Sequence, residues 1–191
     1  AQEGDSIVVT KGIAIEGTAL LALERAEDLR KAGVSGDIIT LSAELLITTG
    51  ISVIVDAQIA TAAAQIHSMH DVTEGGLITG LREVAAASGL GLAIEEGSVP
   101  VLPTTETVCQ ALGLDPLGLL ASGAMIITLS PAEVPSLIAE LEKQGIDGWE
   151  IGMMMAPEEG LVYIGREGEV ELPQFGRDEL ARYFSQTPAQ T

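Results

Sequence analysis

The chain has 191 residues, of which 28 are acidic and 9 are Lys or Arg, so its formal net charge is −19. So acidic a surface lacks the positive charge that binding to nucleic-acid phosphates or to anionic membranes requires, and we expect neither partner. Hydrophobic residues make up 47% of the chain and the mean hydropathy is +0.36, which allows one sizeable core and argues against bulk disorder.

The amino-terminal stretch predicts a strand, a turn and a helix. Residues 6 to 10 are rich in β-branched side chains and end at Lys11-Gly12, which favours a strand. A helix is predicted from Gly17 to about Ala32, with Gly33 as its stop. The start of that helix, next to a lysine, would attract anions. A solvated strand end explains Lys11 equally well.

Residues 36 to 66 have the least decisive pattern, since by hydrophobic pattern Ile38–Ile47 could form a helix or a strand. We favour helices over Ile38–Ile47 and Val53–Ala64, followed by a short strand over Gln65–Met69. The apolar run from residue 45 to residue 55 is broken by Thr and Gly and is too short to span a membrane. With no secretory signal at the start of the sequence, we expect a cytoplasmic protein.

The central stretch reads as the end of a strand, a polar turn and a helix that reaches about Gly89. Its sequence is Met69-His70-Asp71-Val72-Thr73-Glu74-Gly75-Gly76-Leu77. Asp71 and Glu74 have the spacing of a capping box, which would hold the start of the helix. Gly75 and Gly76 lack side chains, so a ligand or another backbone segment has room to approach the helix amides. Structural capping alone would produce the same pattern.

Alternating strands and amphipathic helices continue to the end, predicting a mixed α/β or α+β domain over residues 1–184 and a disordered tail over 185–191. Strands are predicted over Leu90–Glu95, Ala124–Leu129, Trp149–Met154, Leu161–Ile164 and at Val170, and helices over Thr104–Leu112, from Asp115, from Ser130 to Gln144 and over Arg177–Phe184. The Met153-Met154-Met155 run is interpreted as core filler.

Histidine and cysteine side chains often bind metals or take part in redox chemistry, but their pattern in this sequence gives little support for either role. His67 and His70 have no third soft ligand at a usual spacing, so zinc is not expected. Cys109 is the only cysteine, which excludes an internal disulfide and fits a reducing compartment. It lies in a predicted helix without a basic neighbour, so we expect a buried, inert thiol.

Three segments together resemble the C-terminal domain of the aminoimidazole ribonucleotide (AIR) synthase superfamily. They are Gly4-Asp5-Ser6-Ile7-Val8-Val9-Thr10-Lys11-Gly12, His70-Asp71-Val72-Thr73-Glu74-Gly75-Gly76-Leu77 and Leu114-Asp115-Pro116-Leu117. Within the superfamily the chain is most similar to the HypE-type hydrogenase-maturation branch, and the likeness extends from about Gly4 to about Gly165. The resemblance implies a layered α+β fold in which a mixed sheet is packed with helices.

The same resemblance implies an ATP-dependent enzyme that uses Mg²⁺ and phosphorylates an oxygen of an amide, carboxamide or phosphate substrate. An amino-terminal ATP-binding domain, outside this sequence, would carry most metal-binding aspartates and form a homodimer. The partners expected for this chain are therefore its own amino-terminal domain and a small-molecule or protein-bound amide substrate. Alone, the chain is expected to have negligible ATP turnover.

Transferred to this sequence, the resemblance assigns a role to each residue of the site. Asp71 and Glu74 would be catalytic, and Asp71 would also bind the metal ion. The cofactor-binding residues would be Lys11, Gly12, Thr73, Gly75, Gly76, Ser122 and Gly123. Phosphoryl transfer suits such a site, since it depends mainly on positioning and on neutralising charge.

Two departures weaken the HypE-type interpretation. The turn Ala121-Ser122-Gly123-Ala124 replaces an acidic, lysine-containing turn of that branch, and the sequence ends without the branch's terminal cysteine. Dehydration of a carbamoyl thiol is therefore not expected. Selenophosphate synthetase and thiamine-monophosphate kinase remain alternative relatives, and a non-catalytic interaction module remains the alternative of a different class.

Overall fold

One mixed sheet of seven strands organises residues 1–186, the part of the chain that the computed structural model describes. The strands are β1 Ser6–Thr10, β2 Ile66–Asp71, β3 Gly91–Glu95, β4 Met125–Leu129, β5 Gly148–Met155, β6 Leu161–Gly165 and β7 Gly168–Glu171. Their order across the sheet is β2-β4-β1-β5-β3-β6-β7. Neighbouring strands pair antiparallel except β3 and β6, which are parallel. The predicted mixed sheet is confirmed.

Eight α-helices surround this sheet within the same residues. They are α1 Ile15–Glu24, α2 Ala26–Lys31, α3 Gly36–Leu45, α4 Ile54–Ala63, α5 Gly76–Ser88, α6 Pro103–Leu112, α7 Val134–Glu142 and α8 Glu179–Gln186. A π-helical turn, Leu46–Gly50, follows α3. The two helices favoured over the ambiguous stretch are confirmed. In this part of the chain, no single helix is long and apolar enough to cross a membrane, although α3 with its π-helical turn and α4 pass that test as a pair bent by 46°.

The two faces of the sheet are covered unequally. On one face, α5 packs through Leu77 and Leu81 into a core that also holds Ile7 of β1. On the other face, α4 and α7 pack over the part of the sheet that contains β1 and β4. Met153 of β5 is 42% exposed, whereas Met154 is fully buried. The interpretation of the methionine run as core filler therefore holds for Met154 and is wrong for Met153.

The helix predicted from Gly17 to Ala32 is interrupted at Arg25, which has φ −130° and ψ 28°. The break lies beneath α8, where the Arg25 guanidinium carbon is 4.7 Å from the centroid of the Phe184 ring. Arg25 is only 6% exposed, so this contact belongs to a packed region. Local periodicity does not reveal such a break, because the partner ring is far away in sequence.

The carboxy-terminal helix also differs from its prediction. It begins at Glu179 and reaches Gln186, two residues beyond the predicted end at Phe184. The prediction of a disordered tail is therefore wrong for Ser185 and Gln186. The remaining residues of that tail, 187–191, lie outside the described residues.

Cys109 is buried in α6 with 2% exposure, as the sequence predicted. Burial, followed by the negative charges of Asp115 and Glu179, raises the pKa of its thiol to about 12. We expect Cys109 to resist alkylation by iodoacetamide at pH 8 in the folded protein and to react fully in urea, as followed by mass spectrometry. Labelling of the folded chain at the rate of the unfolded chain would contradict this assignment.

Candidate functional site

The predicted site residues meet at one edge of the sheet, where three chain segments are joined by hydrogen bonds. The Val72 amide donates to the Ala124 carbonyl, with 3.2 Å between the two atoms. The Ala121 amide donates to the Thr73 carbonyl, also at 3.2 Å, and the Met125 amide donates to Oγ1 of Thr10 at 3.2 Å. The end of β1, the turn before α5 and the turn before β4 therefore form one connected site edge.

The Lys11 ammonium is enclosed by three partners at this edge. Its Nζ lies 3.1 Å from Oδ2 of Asp56, 2.8 Å from the Ser52 carbonyl oxygen and 3.1 Å from the Gly123 carbonyl oxygen. Two of its three N–H donors hydrogen-bond to the two carbonyl oxygens, whereas the contact with Asp56 is an ion pair without hydrogen-bond geometry. Lys11 therefore joins the Gly123 turn to the start of α4, and the Asp56 carboxylate compensates its charge.

The Lys11–Asp56 ion pair is buried and the backbone beside it is strained. The side chains are 9% and 1% exposed, respectively. Lys11 has a φ of +62°, in the left-handed region that residues other than Gly rarely adopt. The surrounding structure must hold such a conformation in place, and strain of this kind often occurs near functional sites.

The predicted capping box is wrong. Asp71 lies in β2, where it pairs with Met125, and the N-cap position of α5 is taken by Gly75 without a side-chain cap. The cap comes from the carboxy-terminal segment, because the Gly75 amide donates to Oδ2 of Asp178 at 2.7 Å. Oδ1 of Asp178 accepts from the Leu180 amide at 2.7 Å. One carboxylate thus stabilises the starts of both α5 and α8.

The glycine pair is needed for close packing. Gly75 and Gly76 have φ values of +79° and +67°. A Cβ on Gly76 would lie 2.5 Å from the Leu117 carbonyl oxygen, which the fold does not allow. Gly75 still lines an open cavity of about 510 Å³ between the start of α5 and the carboxy-terminal segment that carries Asp178. Both glycines are therefore buried beneath other segments, but Gly75 can still be reached from the surface through this cavity.

The two predicted catalytic carboxylates are accessible. Asp71 and Glu74 are exposed, and their side chains make no hydrogen bond or ion pair with any of residues 1–186. Carboxylate oxygens are the ligands that Mg²⁺ prefers. The described residues contain no group of three His, Cys, Asp or Glu side chains placed to hold a metal ion. Asp71 therefore fits one ligand position and not a complete coordination shell.

The Asp115-Pro116 turn connects this region to α8. The Asp115 carboxylate accepts from the Leu117 amide at 2.9 Å and begins a short 3₁₀ helix, as the sequence predicted. The Asp115 amide donates to Glu179 at 3.1 Å. Hydrogen bonding from Arg182 lowers the pKa of Glu179, whereas burial raises the pKa of Asp115. The roles of Asp178 and Glu179 were missed from the sequence because no local pattern marks them.

The fold and the site edge define an α+β domain that presents a glycine turn and two free carboxylates beside a buried lysine. The chain belongs to the family described as AIR synthase related protein, C-terminal domain, whose model matches residues 2–164. The predicted superfamily is therefore confirmed.

Similar proteins carry the HypE name. The chain is 30% identical to carbamoyl dehydratase HypE of Azotobacter vinelandii over 188 residues, which cover 97% of this chain and 49% of that protein. A crystal structure of the hydrogenase maturation protein HypE from E. coli matches 96% of this chain and 53% of its own, with 25% identity and a TM-score of 0.77. A HypE structure in complex with ATP shares the fold with a TM-score of 0.67 at 23% identity, over 94% of this chain and 53% of its own. The chain thus spans about half the length of these relatives.

Removing the Asp178 carboxylate should loosen the starts of two helices at once. We expect Asp178→Ala to lower the free energy of unfolding by about 2 kcal/mol, since two charge-assisted hydrogen bonds are lost. Urea unfolding followed by circular dichroism measures the change. Asp178→Asn, which keeps an acceptor oxygen, should lose less than about 1 kcal/mol. A loss below about 0.5 kcal/mol for the Ala variant would show that this cap is unimportant.

Proposed function

We propose that this chain is the carboxy-terminal half of an ATP-dependent enzyme that phosphorylates an oxygen of an amide, carboxamide or phosphate substrate. The site edge would form one wall of a cleft, and an amino-terminal domain would form the other. We further propose that the complete enzyme is a homodimer of the HypE-type branch and that it acts in hydrogenase maturation on a small-molecule or protein-bound amide.

The observation that carries the two-domain proposal is an exposed apolar ridge beside the site edge. It comprises Ile47, Ile51, Ile54 and Val55, which are 87%, 41%, 66% and 51% exposed. The ridge is continuous with the site turn, because a Cβ on Gly123 would lie 2.8 Å from the Gly50 carbonyl oxygen and 3.2 Å from Cα of Ile51. Contiguous exposed apolar side chains mark a surface that binds another protein surface. A second domain docked here would lie next to the free carboxylates.

The residues of this chain would contribute charge and position to the reaction. Magnesium ATP, when bound, would supply the phosphoryl group and neutralise part of its charge. Asp71 offers the metal ion one oxygen ligand, and Glu74 places a second free carboxylate beside it. Thr73 is exposed on the same turn and has a hydroxyl able to donate to a phosphate oxygen. Lys11 would act through the Gly123 turn, because it donates to the Gly123 carbonyl oxygen and its charge is already compensated by Asp56.

The comparisons support the fold and the nucleotide more strongly than the acceptor substrate. The ATP complex of a structural neighbour supports ATP as the cofactor, and the similarity to the Azotobacter vinelandii protein across 97% of this chain supports the HypE-type branch. The Ser122-Gly123 turn departs from that branch. A thiamine-monophosphate kinase of the same fold supports phosphoryl transfer to a phosphate as the alternative substrate class.

The test uses the protein that contains both domains. We expect Asp71→Asn to lower the kcat of ATP turnover at least about 100-fold, because the metal ion loses a charged ligand. Its free energy of unfolding should stay within about 0.5 kcal/mol of the wild type, since Asp71 is exposed.

Asp37→Asn is the matched control, because Asp37 is an exposed carboxylate on α3 outside the site edge. It should leave turnover unchanged and lower the free energy of unfolding by less than about 1 kcal/mol, since Asp37 lies in the first turn of α3. Equal turnover in the wild type and the Asp71 variant would reject the assigned role of Asp71. No ATP turnover in the wild-type two-domain protein, with any amide or phosphate acceptor, would favour the non-catalytic interaction module.

A further inference from the structure

The backbone amide that follows Glu74 is held by a side chain from the carboxy-terminal segment. Glu74 is one of the two free carboxylates of the site edge, and the next peptide group carries the Gly75 amide, which donates to Oδ2 of Asp178 at 2.7 Å. Within residues 1–186, no other side chain accepts a hydrogen bond from a backbone amide of the turn formed by residues 72–76. Asp178 is therefore the side chain that fixes the amide side of this turn.

The backbone between Glu74 and Gly75 needs such a restraint. Gly75 has no side chain and a φ of +79°, a conformation that glycine enters and leaves at little cost. Its carbonyl oxygen is held from within α5, because Oγ1 of Thr79 donates to it at 2.9 Å. The exposed Glu74 side chain has no partner among the described residues and adds no restraint. Without Asp178, motion of this backbone would move the Glu74 carboxylate and the neighbouring Thr73 hydroxyl.

Asp178 is itself anchored on both sides along the chain. Before it, the Phe175 ring lies against Gly118, where an added Cβ would be 2.5 Å from a ring carbon. After it, the Glu179 carboxylate accepts from the Asp115 amide at 3.1 Å. A side chain supported in this way can hold another group in a defined position.

The same hydrogen bond limits what the start of α5 can do for a bound nucleotide. The Gly75 amide is the donor that a phosphate group would use, and it already donates to a carboxylate. A phosphate would have to displace this charged acceptor and would also meet the negative charge of Glu74. The turn is therefore suited to act through its exposed side chains, and their effect depends on how well the backbone that carries them is fixed.

We propose that Asp178 is a positioning residue of the site edge, a role that rests on the proposed function. By holding the Gly75 amide, Asp178 fixes the backbone from which Thr73 and Glu74 act on the phosphoryl group. Asp178 itself touches neither the nucleotide nor the metal ion. The family model matches residues 2–164, so this residue belongs to the segment that follows the matched part of the chain.

Two variants separate the contact with Gly75 from the capping of α8. Asp178→Ser keeps an oxygen that can accept from the Leu180 amide, but its side chain is one bond shorter and does not reach Gly75. Asp178→Asn keeps a carbonyl oxygen that can still accept from the Gly75 amide. Hydrogen exchange of the Gly75 amide, followed by NMR on this chain, should be at least about tenfold faster in the Ser variant and less than about threefold faster in the Asn variant. Equal exchange rates in the wild type and the Ser variant would overturn the proposal.

The kinetic test uses the protein with both domains. We expect Asp178→Ser to lower the kcat of ATP turnover at least about tenfold and to leave the KM for ATP within about twofold, since positioning affects the reacting geometry more than binding. Asp178→Asn should keep kcat within about threefold of the wild type. Ser35→Ala is the matched control, because it removes the N-cap hydrogen bond to the Ile38 amide in α3, outside the site edge. It should lower the urea midpoint of unfolding and leave kcat unchanged.

The possible results distinguish this role from the proposed function. An equal loss of kcat in Ser35→Ala and Asp178→Ser would overturn the positioning role, because lower stability would then explain both losses. A higher kcat or a lower KM in Asp178→Ser would also overturn it, since Asp178 would then compete with a bound anion. An active wild type with an equally active Asp178→Ser variant rejects the positioning role alone. An inactive wild-type protein with both domains rejects the proposed function and the positioning role together.

Discussion

The Lys11 ammonium is the contact on which the site edge depends. It joins the end of β1 to Ser52, 41 residues away, and to Gly123, 112 residues away. Asp56 supplies the compensating charge in a location that is almost closed to solvent. Removing one member of a buried ion pair leaves the other without compensation, which is costly. The strained turn at Lys11 and the position of the Gly123 turn therefore depend on the same pair of charges.

The start of α5 shows how much of this arrangement the sequence could predict. The strands and helices were predicted because hydrophobic periodicity and glycine or proline stops are local signals. The need for an anionic cap was also readable, since the start of a helix is positive. The residue that provides this cap could not be predicted, because Asp178 lies 103 residues after Gly75 and contacts it only in the folded chain. The break at Arg25 was missed for the same reason.

The domain combines a buried framework with an exposed apolar ridge beside the site edge. Ile47 and Ile54 of this ridge are 87% and 66% exposed, and the neighbouring Gly50 and Ile51 contact the Gly123 turn. The sequence could not distinguish Met153 from Met154, because strand alternation and the local register decide which side chain faces solvent. The grouping of Lys11, Thr73 and Gly123 at one edge was predictable only through the resemblance. The chemical roles of these residues remain proposals.

A double-mutant cycle on Lys11 and Asp56 tests the central claim most directly. Urea unfolding of Lys11→Met, Asp56→Leu and the combined variant gives the coupling energy between the two side chains. The account predicts a coupling of at least about 2 kcal/mol, with the combined variant more stable than Lys11→Met alone, because that variant leaves a carboxylate buried without its partner. A coupling below about 0.5 kcal/mol would mean that the two charges are independent and that the site edge is held by other contacts.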